Sequence, residues 1–255
     1  MNVLDLFSGI GGFSLGLERA GMRTVAFCEI DPFCRRVLAK HWPSIPIYHD
    51  VRTLSAERLR ADGIAPEVIC GGFPCQDLST AGQRAGITGE KSGLWSELHR
   101  LFGELRPRYA VVENVPNLIA GNSGAWFGRV LGDLAEIGFN AVWHCIPASA
   151  LGAPHIRDRI WVVASPNAAE GDLKAITKIL AVYTYAGRNR GSGWRSPMPP
   201  VSRMGNGVPG ELDQLGALGN SVVPQIPEII GRAIMKHTTD RTMTAQEDHA
   251  GAPLS

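Results

Sequence analysis

Residues 3–12 read Val3-Leu4-Asp5-Leu6-Phe7-Ser8-Gly9-Ile10-Gly11-Gly12: a short apolar run, then a turn of small residues. A pattern through Leu15, Leu17 and Ala20, closed by Gly21, then suits a helix. Strand, glycine turn and helix in that order open an α/β sheet, and the alternation repeats along the chain. A second strand over 24–29 ends in Glu29-Ile30-Asp31, and Pro32 suits the first turn of a helix carrying Cys34, Val37, Leu38 and His41. Further strands are predicted near 45–49, 68–71, 109–112, 141–146 and 160–164, with a helix over 124–137. Near-continuous apolar strands separated by helices predict a mostly parallel sheet covered on both faces.

After Ala164 the pattern dissolves. A weak helix is predicted over 173–180, and regularity returns at 212–224, followed by a helix over 228–236 that can pack back on the sheet. The chain therefore reads as one domain from 1–165 with 212–236, a short region over 166–211, and a polar, aperiodic tail over 237–255 expected to be disordered.

With 255 residues, 44% hydrophobic and 19% charged, the chain has the composition of an ordinary folded domain with a small appendage. No apolar run approaches the roughly 18 residues of a membrane span, and Asp5 stands where a signal peptide would be basic. A cytoplasmic location is expected. The cysteines Cys28, Cys34, Cys70, Cys75 and Cys145 form no CxxC pair and no zinc spacing, so no disulfide framework and no metal is expected. The net charge of +1 hides an uneven distribution. Between Asp172 and Glu211 no acidic residue occurs, while Lys174, Lys178, Arg188, Arg190, Arg195 and Arg203 stand among Tyr183, Tyr185 and Trp194. That mixture suits a phosphate backbone, and equally a solvated surface loop.

Reactive side chains follow the strands. Cys75, in Gly71-Gly72-Phe73-Pro74-Cys75-Gln76, leaves the carboxyl end of a buried strand, where open α/β sheets build their sites, and is a candidate nucleophile. Gly9, Gly11 and Gly12 permit close approach of a nucleotide-like ligand, or simply tight packing. Glu29 is spaced to accept from ribose hydroxyls, Asp50 offers an acceptor for an adenine amino group, and Phe7 an apolar face. The dinucleotide glycine spacing is incomplete, so the implied ligand is an adenosine with no obligatory phosphate.

Asp5-Leu6-Phe7-Ser8-Gly9-Ile10-Gly11-Gly12, Pro74-Cys75-Gln76, Glu113-Asn114-Val115, Arg157-Asp158-Arg159 and Gly219-Asn220-Ser221-Val222-Val223-Pro224 together resemble the ordered motifs of DNA (cytosine-5)-methyltransferases, in a compact form like those carried by phages and prophages. The resemblance implies a Rossmann-like S-adenosylmethionine-dependent methyltransferase fold. It places S-adenosylmethionine against Phe7, Gly9, Gly11, Glu29, Ile30, Asp50, Val51, Pro74, Leu94, Asn220 and Ser221. It implies covalent addition of Cys75 to a cytosine flipped out of double-stranded DNA, with Glu113 as the acid at ring nitrogen 3 and Asn114 beside it. Arg159 would bind the base carbonyl, and Arg157 would support the site structurally. Residues 79–93 read as a mobile loop, with Gln76, Ser79 and Arg84 as strand contacts, and the basic segment as a reduced target reader. A monomer is expected.

Two positions depart from the family pattern. His155 stands where Gln is usual, and the region between Ala164 and Gly219 is short for a recognition domain. A catalytically silent DNA-binding relative and an RNA cytosine-5 methyltransferase are therefore alternatives. A nicotinamide oxidoreductase fits at the level of the sheet only and lacks a use for the Pro-Cys and Glu-Asn-Val motifs.

Overall fold

The computed structural model describes residues 1–73, 94–153, 157–166, 170–189, 217 and 220–250. Seven strands form one sheet in the order β3-β2-β1-β4-β5-β7-β6. They are β1 (Asn2–Leu6), β2 (Arg23–Cys28), β3 (Ile47–Tyr48), β4 (Val68–Gly72), β5 (Tyr109–Asn114), β6 (Asn140–Pro147) and β7 (Asp158–Ser165). The first five are mutually parallel, whereas β7 runs antiparallel to both β5 and β6. The link from Pro147 to Asp158 is too short for a parallel crossover, so these two strands reverse.

Side-chain alternation divides the core into two layers. Leu4, Leu6, Ile69, Ala110, Val112, Ile160 and Val162 face one way, toward α3 (Ala56–Ala61), α4 (Trp95–Leu105) and α6 (Ala125–Glu136). Val3, Val68, Cys70, Val111, Trp161 and Val163 face the other, toward α1 (Gly12–Arg19), α7 (Glu170–Asn189) and α8 (Gln225–Ala250). Both faces are covered, which is why the strands read as apolar runs with no polar side. Two shorter elements complete the helical set: α2 (Pro32–His41) and α5 (Asn117–Ala120). In α2, Asp31 caps the amide N–H groups of Phe33 and Cys34 at 2.6 and 3.1 Å, with Pro32 in the first turn.

Two helices are longer than their sequence patterns suggest. The helix expected at 173–180 extends over Glu170–Asn189. Leu173, Ile176 and Leu180, at helical spacing, are buried in the α1 and α8 layer, while Lys174 and Lys178 are exposed. The helix expected at 228–236 starts at Gln225 and runs to Ala250, into the stretch expected to be disordered. Its described side chains pack on the core as far as Met235, and no Gly or Pro occurs from residue 237 to 250 to terminate the helix.

Helix α1 and the segment before α8 lie unusually close. A Cβ on Gly12 would stand 2.5 Å from the Val222 carbonyl oxygen, and one on Gly16 would stand 2.2 Å from that of Pro224. Only residues without side chains allow this contact. The other anchor of α1 is Asp5, fully buried on β1, whose Oδ2 accepts from Ser14 Oγ at 2.7 Å and Ser14 N at 3.2 Å.

Burial pushes the Asp5 carboxyl up to about 7, against the opposing pull of the Ser14 hydrogen bonds. Between about pH 4, where the unfolded carboxyl titrates, and pH 7, the folded chain holds a proton that the unfolded chain has lost. Stability contributed by this group is therefore present at low pH and falls as pH rises through that window. In Asp5→Asn, denaturant unfolding measured at pH 4 and pH 8 is expected to lose this component of pH dependence, on the order of 4 kcal/mol at most. An unchanged difference between wild type and variant across that range would contradict it.

Candidate functional site

The turn after β1 begins with Phe7 at φ 53° and continues through Gly9, also at φ 53°. Ser8 Oγ fixes it by donating to the carbonyls of Asp5 at 2.6 Å and Cys28 at 3.3 Å. Glu29, 8% exposed at the end of β2, closes the turn. Its Oε2 accepts from Gly9 N at 2.7 Å and its Oε1 from Asp31 N at 2.8 Å, which leaves further acceptor capacity on each oxygen.

The two glycines of the turn have different reasons. Space beside Gly9 is open for 4 Å where a Cβ would stand, so a ligand can approach its backbone. At Gly11 a φ of 88° already favours glycine, and a Cβ there would stand 2.6 Å from the Trp42 ring. Around the turn, Phe7 and Leu94 are partly buried against the core, Val51 is buried, and Ile30 is 62% exposed, an apolar side chain with room above it. Asp50 caps the short turn Val51–Thr53, and its carboxylate receives the Arg52 guanidinium at 2.7 Å, which holds it below the usual carboxylate range. Asn220 is exposed, and Ser221 follows it just ahead of the contact with α1. An open glycine, a buried carboxylate, an exposed apolar side chain and an acidic acceptor match the donors and the ring of an adenosine, so the residues present fit S-adenosylmethionine.

The second half of the site lies at the carboxyl end of β5. Glu113 and Arg159 form an ion pair at 2.8 Å, with side chains 12% and 22% exposed. The antiparallel register sets Glu113 opposite Trp161, so Arg159, two residues earlier on β7, projects from the same face. Glu113 also lies in register with Gly72, the last residue of β4, from which the chain departs toward Cys75. Burial raises the Glu113 carboxyl above its ordinary range, opposed by Arg159 and Arg157. Asn114 is buried, donates through Nδ2 to the Phe73 carbonyl at 3.2 Å and accepts from Val115 N at 2.8 Å. It thus ties the end of β5 to the start of the segment that follows β4.

Pro74, Cys75, Gln76, Ser79, Arg84, His155, Arg190, Arg195 and Arg203 lie outside the described residues, as does the loop reading over 79–93; Arg188 lies on α7. The other cysteines can be compared. Burial pushes Cys28 and Cys34 up to about 12 and Cys70 well above the ordinary thiol range, where Asp5 adds to the effect. Such thiols hold their protons and make poor nucleophiles. A groove of about 850 Å³ at the β3 edge, bordered by Arg23, Tyr48, Arg58 and Asp62, shares no residue with the site.

Two contacts had no signal in the sequence reading. Arg157 Nη2 donates to the Ser221 carbonyl oxygen at 2.9 Å, joining residues 64 positions apart. Trp95 Nε1 donates to Asp133 Oδ2 at 2.8 Å, and the Trp95 ring lies 5.5 Å from that of Phe73. The Trp95 and Phe73 rings therefore meet where the chain enters and leaves residues 74–93.

Residues 1–181 match the profile of the family described as C-5 cytosine-specific DNA methylase. Type II methyltransferase M2.BsuMI of Bacillus subtilis (strain 168) is 33% identical over 222 residues, covering 79% of this chain and 56% of that protein. Type II methyltransferase M1.HphI of Haemophilus parahaemolyticus is 31% identical over 175 residues, 67% of this chain and 47% of that one. Among solved structures, a prophage-encoded DNA modification methyltransferase from E. coli aligns with a TM-score of 0.56 at 29% identity, over 69% of this chain and 48% of that chain. A Spodoptera frugiperda DNMT2 variant, at 20% identity and a TM-score of 0.54 over 66% of this chain and 51% of that one, shares the fold. The chain thus spans about half the length of these relatives. The profile match over residues 1–181, on a sheet that carries the glycine turn and the Glu113–Arg159 pair at its carboxyl end, establishes that the chain belongs to the C-5 cytosine-specific DNA methylase family.

Proposed function

We propose that this chain methylates carbon 5 of cytosine in double-stranded DNA. The observation that carries the reading is the largely buried Glu113–Arg159 pair, which sets an acid beside a cation suited to a base carbonyl at the end of β5. Bound S-adenosylmethionine supplies an electrophilic methyl group for carbon 5. Phe7, Gly9, Gly11, Glu29, Ile30, Asp50, Val51, Leu94, Asn220 and Ser221, with Pro74, are assigned to hold it. Glu29 suits the ribose hydroxyls, Asp50 the adenine amine, and Ile30 with Phe7 the ring.

Carbon 5 of cytosine is a weak nucleophile. Addition of the Cys75 thiolate to carbon 6 breaks the 5,6 double bond and moves its electron pair into the ring, as an enamine with density on nitrogen 3. Glu113 in its protonated form gives nitrogen 3 a proton, and Arg159 donates to the base carbonyl and favours the thiolate. Asn114 holds the Phe73 carbonyl, two residues before Cys75. Loss of the carbon 5 proton to water, departure of the Cys75 sulfur as thiolate and return of the nitrogen 3 proton to Glu113 restore the aromatic ring. Stacked cytosine is out of reach of this pocket, so the base must be flipped from the duplex. Gln76, Ser79 and Arg84 are assigned to the DNA near that base. Residues 166–211 are assigned to target recognition through Arg188, Arg190, Arg195 and Arg203, with Lys174 and Lys178 on the exposed face of α7.

Incubation with mixed-sequence duplex DNA and S-adenosylmethionine tritiated in its methyl group tests the reading. Label is expected on carbon 5 of cytosine, and Cys75→Ser is expected to lower incorporation by at least about 1,000-fold without unfolding the chain. DNA binding with no label on any DNA would instead mark a silent relative, and label on transfer RNA alone would move the substrate to RNA.

Glu113 carries a separate expectation. Burial keeps its proton on to a higher pH than an ordinary carboxylic acid, and the reaction needs that proton, so turnover is expected to fall as pH rises through the raised value. Glu113→Gln is expected to reduce kcat by about 100-fold or more and to remove this basic limb from the pH profile. A variant with the wild-type pH profile would exclude Glu113 as the acid.

A further inference from the structure

Arg157 reaches one half of the site by a hydrogen bond and stands two residues before Arg159 of the other. On one side its Nη2 donates to the Ser221 carbonyl oxygen at 2.9 Å, immediately after Asn220. On the other, burial and the like charge of Arg159 lower its pKa while Glu113 opposes them, so its guanidinium lies within electrostatic reach of the base-side pair. Its backbone adopts φ 30°, a conformation that residues with side chains rarely hold unless their surroundings impose it. The segment it reaches is fixed from below, where the Val222 and Pro224 carbonyls rest against Gly12 and Gly16 of α1. Residues 221–223 belong to no helix or strand, so side-chain and packing contacts of this kind determine where they lie.

We propose that Arg157 is a positioning residue that ties the Asn220–Ser221 segment to the Glu113–Arg159 pair, holding the methyl-donor pocket and the base pocket at a fixed separation. The inference rests on the methyltransferase reading for what the two pockets hold, but the tether itself is a property of the ligand-free chain. A planar guanidinium holds a carbonyl oxygen in a fixed direction while its charge acts on the nearby Glu113–Arg159 pair. A lysine at the same position presents one compact ammonium, and a methionine keeps the apolar stem with no donor. An arginine acting only at the base would affect turnover and leave the 220–224 segment untouched, which separates the two roles.

The test uses the full chain with Arg157→Met and Arg157→Lys, by calorimetric titration with S-adenosylhomocysteine and by amide hydrogen exchange without ligand. Loss of a charge-assisted hydrogen bond is expected to weaken S-adenosylhomocysteine binding about tenfold in Arg157→Met and about threefold in Arg157→Lys. Exchange of the amides of 221–223 is expected to accelerate by about tenfold in both, with β5 unchanged. If both variants bind within twofold of wild type and protect 221–223 as wild type does, the tether is wrong even where turnover falls. If Arg157→Met does not fold, Arg157→Lys decides on the same two readouts. Absence of S-adenosylhomocysteine binding in the wild type would defeat the cofactor reading, and the exchange comparison would still decide the tether.

Discussion

The approach of α1 to the segment 222–224 sets the distances on which the site depends. Carbonyl oxygens at Val222 and Pro224 occupy the space that side chains at Gly12 and Gly16 would need. With no Cβ in the way, a segment more than 200 residues later in sequence settles beside the first turn of the chain, and α8 follows it into the core through Ile226, Ile230 and Ile234. Asn220 and Ser221 are thereby set next to the glycine turn, and the Ser221 carbonyl comes within reach of Arg157. A substitution at Gly16 would separate all of these at once, because neither the backbone of 224 nor the helix it meets can yield as a flexible side chain does.

Three acidic side chains stand toward the carboxyl ends of the parallel strands β1, β2 and β5, and their surroundings separate their uses. Asp5 is enclosed, held by Ser14, and raised by burial: it anchors a helix. Glu29 has both oxygens engaged by backbone N–H groups and still has capacity for further donors. Glu113 is largely buried, pairs with Arg159 and lies within the field of Arg157, the setting in which a carboxyl can keep or release a proton at need. The same reasoning sorts the thiols, since burial disarms Cys28, Cys34 and Cys70.

Much of this was legible in the sequence. The β1 turn, the five parallel strands and Pro32 in the first turn of α2 follow from local pattern, and each strand begins or ends within a few residues of its expected place. The length of α7 was not legible: Leu173, Ile176 and Leu180 are a sparse stripe, and their burial depends on β6, the turn over 148–151 and α8 being present to receive them. The site residues on strands were recognisable by position after an apolar run. The Arg157–Ser221 and Trp95–Asp133 bonds were not, because each joins elements whose proximity is decided by packing over long sequence separations. At Gly11 the Trp42 ring fills the space a side chain would need, a packing demand that no local pattern reveals.

The central claim is that one cysteine of five is the nucleophile, selected by a pocket built from Glu113 and Arg159. Its most direct test is mass mapping of the covalent product formed with duplex DNA containing 5-fluorocytosine in the presence of S-adenosylmethionine, where the fluorine blocks the last elimination and traps the adduct. A single cross-linked peptide is expected, carrying Cys75, and none carrying Cys28, Cys34, Cys70 or Cys145. An adduct on any of those four, or methyl transfer to cytosine with no trapped adduct, would contradict it.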